Sequence, residues 1–345
     1  MIKRLFTVLL LSSALSVSGC GYAANSKESE AGKTMIDLNN MKDWCVGRYT
    51  FKLPKDAEMI DESINYDSFK IESKTKATIA NFDEAINEVE SKYSTKEDFI
   101  KDKTPVEAQG SIIYKIIWGH STFAQGRTPV HVYAFVYDQS LRILFKITGT
   151  YSKKFEKESI DSVKYLVKNL KARNNNKLPT EQGICLKNGF IRDDGKNYKF
   201  TRQKVGFKFT KAPSVVISAE TEAIYKIEDD LLTRTEKNLQ KSPNYLRVKN
   251  QTQDIKKGSK TVNPNSPIQG LELITQVPMD GGTGIIATWE HAGTVNSALD
   301  PLISMTVDTA RASSGINTSS IPNHNGILIY EAILNSLRKF EDNKK

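Results

Sequence analysis

WCVGRYTFKLP at residues 44–54 and GICLKNGFI at residues 183–191 open two halves of one chain, each with a cysteine near its start. A polar stretch, KARNNNKLPTEQ at 171–182, precedes the second opening and reads as a linker. After each opening the same order of elements runs past. In the first half the periodicity predicts strands at 47–53 and 66–72, then a helix at 80–92 whose Phe82, Ala85, Ile86 and Val89 share a face. Asn81 followed by Glu84 is a candidate cap for its start. Strands at 111–118, 131–137 and 141–150 follow, the last two joined by the tight connection Asp138, Gln139, Ser140. A closing helix at 157–170 carries Ile160, Val163, Val167 and Leu170 on one stripe.

The second half repeats this order. Strands are predicted at 204–210 and 214–221, and a helix at 226–240 with Ile227, Leu231 and Leu239 inward. Strands at 268–277, 284–290 and 302–309 come next, then a closing helix at 327–340 bearing Tyr330, Ile333, Leu334 and Leu337. The expected fold is therefore α+β: two similar domains, 41–172 and 183–345, joined by a linker at 173–182, each an antiparallel sheet with helices packed on one face. The second half also carries a polar insert, KNQTQDIKKGSKTVNPNSP at 249–267, read as a long loop with four lysines.

Outward from these halves lies the N-terminus, MIKRLFTVLLLSSALSVSGC. Lys3 and Arg4 precede an apolar run from Leu5 to Leu15, and small residues then lead to Cys20, the layout of a signal peptide covering 1–19. The apolar run is shorter than the roughly 20 residues of a membrane-spanning helix. Val17, Ser18, Gly19 and Cys20 resemble the lipobox of bacterial lipoproteins, which implies acylation of Cys20 and a stable lipid anchor. Gly21, rather than aspartate, follows Cys20, so sorting to the outer membrane facing the periplasm is expected. Residues 20–40 then form a small, polar tether.

Composition excludes several classes. Hydrophobic content of 39% and charged content of 26% are those of a globular chain, and about 325 residues remain after the signal, enough for two cores. The net charge of +9 falls to +7 when Lys3 and Arg4 leave, an excess suited to an acidic protein or anionic lipid head groups. It reads as dispersed among acids, which argues against nucleic acid as the partner. With Cys20 lipidated, Cys45 and Cys185 remain. In an oxidising compartment they pair or stay as two buried free thiols. A bridge would tie the two domain openings together rather than act as a redox centre.

Residue patterns for catalysis are weak. Gly119, His120 and Ser121 lack the second glycine of a nucleophile elbow. The run Asp280–Gly284 has no lysine and no following helix, so it reads as a strand connection and not a phosphate cradle. Glu228, Asp229 and Asp230 sit where a helix opens, a position that favours negative charge without chemistry. Trp118 and Trp289 read as core aromatics at comparable places in the two halves. The four histidines, His120, His131, His291 and His324, show no metal-ligand spacing. No enzyme, metal, cofactor or small-molecule substrate is therefore expected.

One resemblance supplies a function. CVGRY at 45–49 with Leu53 and Pro54, GICL at 183–186 with Gly189, Phe190 and Ile191, and IYEAILNSLR at 329–338 are similar to the immunity proteins cognate to type VI secretion phospholipase effectors. The resemblance covers nearly all of the mature chain and implies a two-domain periplasmic protein. Such a protein binds a toxic lipase and occludes its substrate entrance, with no catalytic residues of its own. On that reading the expected contacts are loops: the 119–129 connection with His120, Phe123 and Arg127, and the insert with Lys256, Lys257 and Lys260. The alternative is a structural or assembly lipoprotein of the envelope.

Overall fold

The computed structural model describes residues 36–121, 130–311 and 318–340, and the structural statements below refer to these. The signal peptide, Cys20, most of the tether, Phe123 and Arg127 lie outside them. Among the described residues no helix is long and apolar enough to cross a membrane.

The first opening folds as a hairpin of β1 (Met41–Val46) and β2 (Tyr49–Pro54). Gly47 makes the turn at φ +56°, where a Cβ would sit 2.8 Å from the Thr221 side chain. The chain continues through β3 (Ala57–Tyr66), β4 (Phe69–Lys74), α1 (Ile79–Lys92), β5 (Asp98–Lys103), β6 (Glu107–Gln109), β7 (Ile112–Ser121), β8 (Val130–Asp138), β9 (Ile143–Tyr151), α2 (Glu156–Asn169) and β10 (Leu170–Ala172). The second half has the hairpin β11 (Gly183–Leu186) and β12 (Gly189–Arg192), then β13 (Thr201–Phe209), β14 (Val216–Glu222), α3 (Leu231–Gln240), α4 (Tyr245–Gln251), β15 (Gln253–Val262), β16 (Ile268–Met279), β17 (Gly282–His291), β18 (Leu302–Asp308), α5 (Asn323–Ser336) and β19 (Arg338–Lys339).

The α+β class is as expected, but the two halves do not own separate sheets. One 13-stranded antiparallel sheet runs through both, in the order β15-β16-β17-β18-β14-β13-β3-β4-β9-β8-β7-β5, with β6 beside β7. Its centre is the pairing of β3 with β13 over nine residue pairs, from Ala57 opposite Phe209 to Tyr66 opposite Thr201. The order reads alike from either end when each strand is matched to its counterpart. The physical reason for one sheet is that β3 and β13 would each be an exposed edge in a separate half, and pairing them removes both edges.

The halves also exchange their opening hairpins. Trp44, Val46, Tyr49, Phe51 and Leu53 of β1 and β2 are buried among Ile217, Ile274, Trp289, Met305 and Tyr330 of the second half, and β19 pairs with β2. Ile184, Leu186 and Ile191 of β11 and β12 are buried among Ile71, Phe145 and Leu166 of the first half, where β10 pairs with β12. Across the central seam Ile64 of one core stands opposite Gln203, two residues from Val205 of the other, so both cores lie on one face of the sheet. The opposite face carries α1, packed on Ile117, Phe135 and Leu144. It also carries α3, whose Arg234 meets Glu290 at 2.5 Å while the neighbouring Trp289 points into the α5 core. Helices thus sit on both faces rather than one.

Where the hairpins cross, Gly47 and Cys185 exchange backbone hydrogen bonds of 3.1 and 2.8 Å, and Cys45 is disulfide-bonded to Cys185. The Gln203 carbonyl oxygen accepts from the Gly47 amide at 2.7 Å, and its amide donates to Glu62 at 2.7 Å. Glu62 also accepts from the Lys187 amide. Burial raises its carboxyl above the usual range against these hydrogen bonds. Beside this hub Arg48 donates to Asp193 at 2.9 Å, with both side chains about 95% buried, and Tyr66 donates to the other Asp193 oxygen at 2.7 Å. Arg48→Ala leaves Asp193 buried without its counter-charge, so we expect a loss of about 3–5 kcal/mol. Urea unfolding checks this through a lower midpoint at unchanged slope. A double change of Arg48→Met with Asp193→Leu is expected to cost less than the single one.

Several local expectations need correction. Residues 249–267 are not a loop: α4 ends at Gln251 and β15 occupies 253–262. Lysines on this edge strand dilute the apolar alternation that marks a strand, while discouraging edge-to-edge aggregation. The helix expected at 226–240 begins only at Leu231, because Asp230 caps it by accepting from the Thr233 amide at 2.9 Å. Ile227 is therefore outside the helix and 85% exposed, not inward. The start of α1 is capped reciprocally by Thr78 and Asn81, not by Asn81 with Glu84.

Candidate partner-binding surfaces

The two regions expected to touch a partner lie near opposite ends of the sheet. His120 is in β7, next to the edge strand β5, and the lysines are in β15, the other edge. Ten strand spacings separate them, roughly 50 Å along the sheet. A standard interface is smaller than this, so a partner engaging both must straddle the sheet.

At the β5 end, Phe99 pairs with His120 across the ladder, and the two rings stack at 4.7 Å with 21° between planes. Phe99 is 41% exposed. The Trp118 indole N–H and His120 Nδ1 are buried atoms with no hydrogen-bond partner. On the other face of the same strands Tyr93, His131 and Tyr133 cluster under Lys92, with the two tyrosine hydroxyls 3.3 Å apart. Burial, then the Lys92 charge, lowers the His131 pKa, which favours a neutral ring. Burial, then the Tyr133 hydroxyl, raises that of Tyr93. Gly119 is needed here because a Cβ would sit 2.5 Å from the Tyr93 ring. It belongs to an extended strand, so no nucleophile elbow forms at Ser121.

Sequence reading missed Phe99 and Tyr93 as members of this end. The pairing of β5 with β7 shifts register between Ile100 and Asp102, which breaks the alternation that would have marked the strand. Trp118 and Trp289 are both buried, as expected, but lie on strands that are not counterparts: β7 matches β16 in the repeat, whereas Trp289 is on β17.

At the β15 end, alternate residues point to opposite faces. Lys256 and Lys260 face α5 and share the carboxylates of Glu331 and Glu272, with Lys256 3.2 Å from Glu331 and Lys260 3.5 Å from Glu272. The hydrogen bond to Glu331 holds the Lys256 ammonium above its ordinary pKa. These two lysines tie the edge strand to the closing helix. Lys257 points the other way and is exposed, so the three expected contact lysines do not form one patch.

Neither surface holds a reactive constellation. In the run Asp280–Gly284, Asp280 and Gly281 make the two-residue turn between β16 and β17, with Met279 opposite Gly282, and the rest opens β17. An open groove of about 900 Å³ beside α1 is lined by Glu72, Asp83, Glu84 and Glu88 with Lys74 and Lys146. Among the described residues no group of three or more His, Cys, Asp or Glu is placed to hold a metal ion.

The family described as the Tle cognate immunity protein 4 N-terminal domain matches residues 42–180, and the corresponding C-terminal domain matches 177–339. No curated protein matches the chain. Among solved structures, the apo immunity protein TplEi of the type VI secretion system from Pseudomonas aeruginosa aligns at TM-score 0.69 and 19% identity. That alignment covers 88% of this chain and 98% of that one. A chain of the Tle4–Tli4 complex aligns at TM-score 0.71 and 18% identity, over 88% and 98%. TplEi complexed with the "L" peptide aligns at 0.69 and 18%, over 88% and 99%. At these identities the structures establish a shared fold.

Proposed function

Since the chain belongs to the Tle cognate immunity protein 4 family, with both family domains in order, we propose that it binds a cognate type VI phospholipase effector and inhibits it by covering the substrate entrance. The observation that carries this reading is the match of the two domains over nearly the whole described body. Members of an immunity family act by binding, and this chain is not an enzyme. The architecture supports a blocking role. One sheet and one disulfide span both domains, so little conformational freedom is lost on docking.

The proposed contacts are the β5 end, with His120 and Phe99 as the described anchors and Phe123 and Arg127 beside them in sequence, and Lys257 on the far edge. Lys256 and Lys260, engaged with Glu331 and Glu272, orient that edge. The proposed location is the periplasm, with acylated Cys20 holding the protein to the outer membrane through the tether.

The test is phospholipase activity of the cognate effector with and without the chain from residue 21 onward. Stoichiometric loss of activity is expected, and undiminished activity with no complex overturns the reading. Aromatic anchors in a desolvated interface are worth about 2 kcal/mol or more each. Phe99→Ala and His120→Ala are therefore each expected to weaken binding about 30-fold or more. Unchanged affinity would remove the β5 end from the interface.

A further inference from the structure

A second surface is built around α3 and α4. Residues 231–260 hold eight Lys and Arg against two carboxylates, a net of six of the chain's nine positive charges. Arg234, Lys237, Lys256 and Lys260 pair with Glu290, Asp229, Glu331 and Glu272 from outside the segment, and Lys249 with Glu236 inside it, which leaves Lys241, Arg247 and Lys257. Tyr245 donates to Glu236 at 3.0 Å, and Lys249 donates to the Tyr245 hydroxyl at 2.7 Å, which joins the end of α3 to α4. The Lys257 charge acts on the same Glu236, so β15 borders this corner. Lys237 is neutralised by Asp229 at 2.8 Å. Lys241, Arg247 and Lys257 are exposed, and among the described residues none of the three stands in an ion pair. Next to Arg247 in α4, Leu246 presents an apolar side chain that is 70% exposed.

We infer that this corner is a peripheral docking surface for an anionic phospholipid bilayer, with Leu246 entering the head-group layer and Lys241, Arg247 and Lys257 meeting the phosphates. An exposed leucine beside an arginine on one short helix, with further unpaired cations at the end of α3 and on β15, suits a fluid surface, which supplies diffuse negative charge and needs no matching cavity. An acidic protein would have to match three separate cations and accommodate the leucine in a pocket. Of the residues named, only Lys257 is shared with the proposed effector contacts. If both this inference and the immunity reading hold, the inhibitor rests against the kind of surface its effector attacks.

The experiment is co-sedimentation of the unacylated chain from residue 21, which keeps the whole described body, with phosphatidylethanolamine vesicles containing a minority of phosphatidylglycerol. Binding is expected on these and not on pure phosphatidylcholine. It should disappear in about 1 M salt, where charges are screened within about 3 Å. Each of Lys241→Glu, Arg247→Glu and Lys257→Glu should lower the partition coefficient about fivefold or more, and Leu246→Asp should do likewise. All four side chains are exposed, so an unchanged melting temperature verifies the fold. Inhibition of the effector should be retained by Lys241→Glu, Arg247→Glu and Leu246→Asp. Absence of vesicle binding by the parent chain overturns the inference, as does binding that ignores the substitutions. Loss of effector inhibition in these variants without loss of vesicle binding would also overturn it, and would assign the corner to an acidic protein partner.

Discussion

Residues 183–345 produced alone are expected to fail to fold, although they contain all but the first six residues of the C-terminal family match at 177–339. The missing piece is the first-half hairpin. Trp44, Val46, Tyr49, Phe51 and Leu53 are all at most 4% exposed within the second-half core. Burying each is worth roughly 1.5–3 kcal/mol, about 7–15 kcal/mol together, which equals the whole stability of an ordinary domain. The truncated half also exposes the edge of β13 that β3 covers. The result should be an insoluble or expanded product with no cooperative melting transition. Co-production with residues 36–182 is expected to restore a soluble, co-purifying pair. A well-dispersed NMR spectrum from 183–345 alone would refute the exchange of hairpins.

The second large effect concerns the bond at the crossing. Cys45 and Cys185 are separated by 140 residues, and both are buried. In the chain-entropy picture, closing a loop of this length restricts the unfolded chain by about 5 kcal/mol, within the 2–5 kcal/mol typical of native disulfides removed from small domains. Replacing both cysteines by alanine should therefore lower the denaturation midpoint strongly. Reduction of the parent protein by dithiothreitol should match it under denaturing conditions and do little under native ones, because the sulfurs are inaccessible. Equal midpoints for parent and double variant would show that the surrounding hydrogen bonds alone fix the crossing.

Much of this architecture was legible in the residues. The amphipathic stripes of α1 and α2, the ladders at β7 to β9 and the closing α5 follow from apolar periodicity, while the cysteines were left as a pair or two buried thiols and the structure shows the bond. The exchange was not legible, because periodicity reports which face of an element is buried and not which core buries it. The strand β3, AEMIDESINY, hides in plain sequence for a related reason. Its acids lie on the exposed face or, like Glu62, are buried with hydrogen bonds, so the central strand of the sheet looks polar. The proposed contacts His120 and Lys257 were expected on loops, and both lie on strands, β7 and β15. The Phe99 partner of His120 was not legible, since a register shift erased its strand.

The exchanged hairpins set an order of events for a chain delivered N-terminus first. Tyr49 and Phe51 belong to a core whose last parts, Tyr330, Leu334 and Leu337, emerge some 280 residues later, and the strand that pairs with β2 comes at 338–339. Throughout delivery the first hairpin waits as unsatisfied apolar surface, and its cysteine has no native mate until residue 185 appears. The first-half core can close once residue 191 has emerged, whereas the second is complete only after the final helix, so its long-range closure comes last.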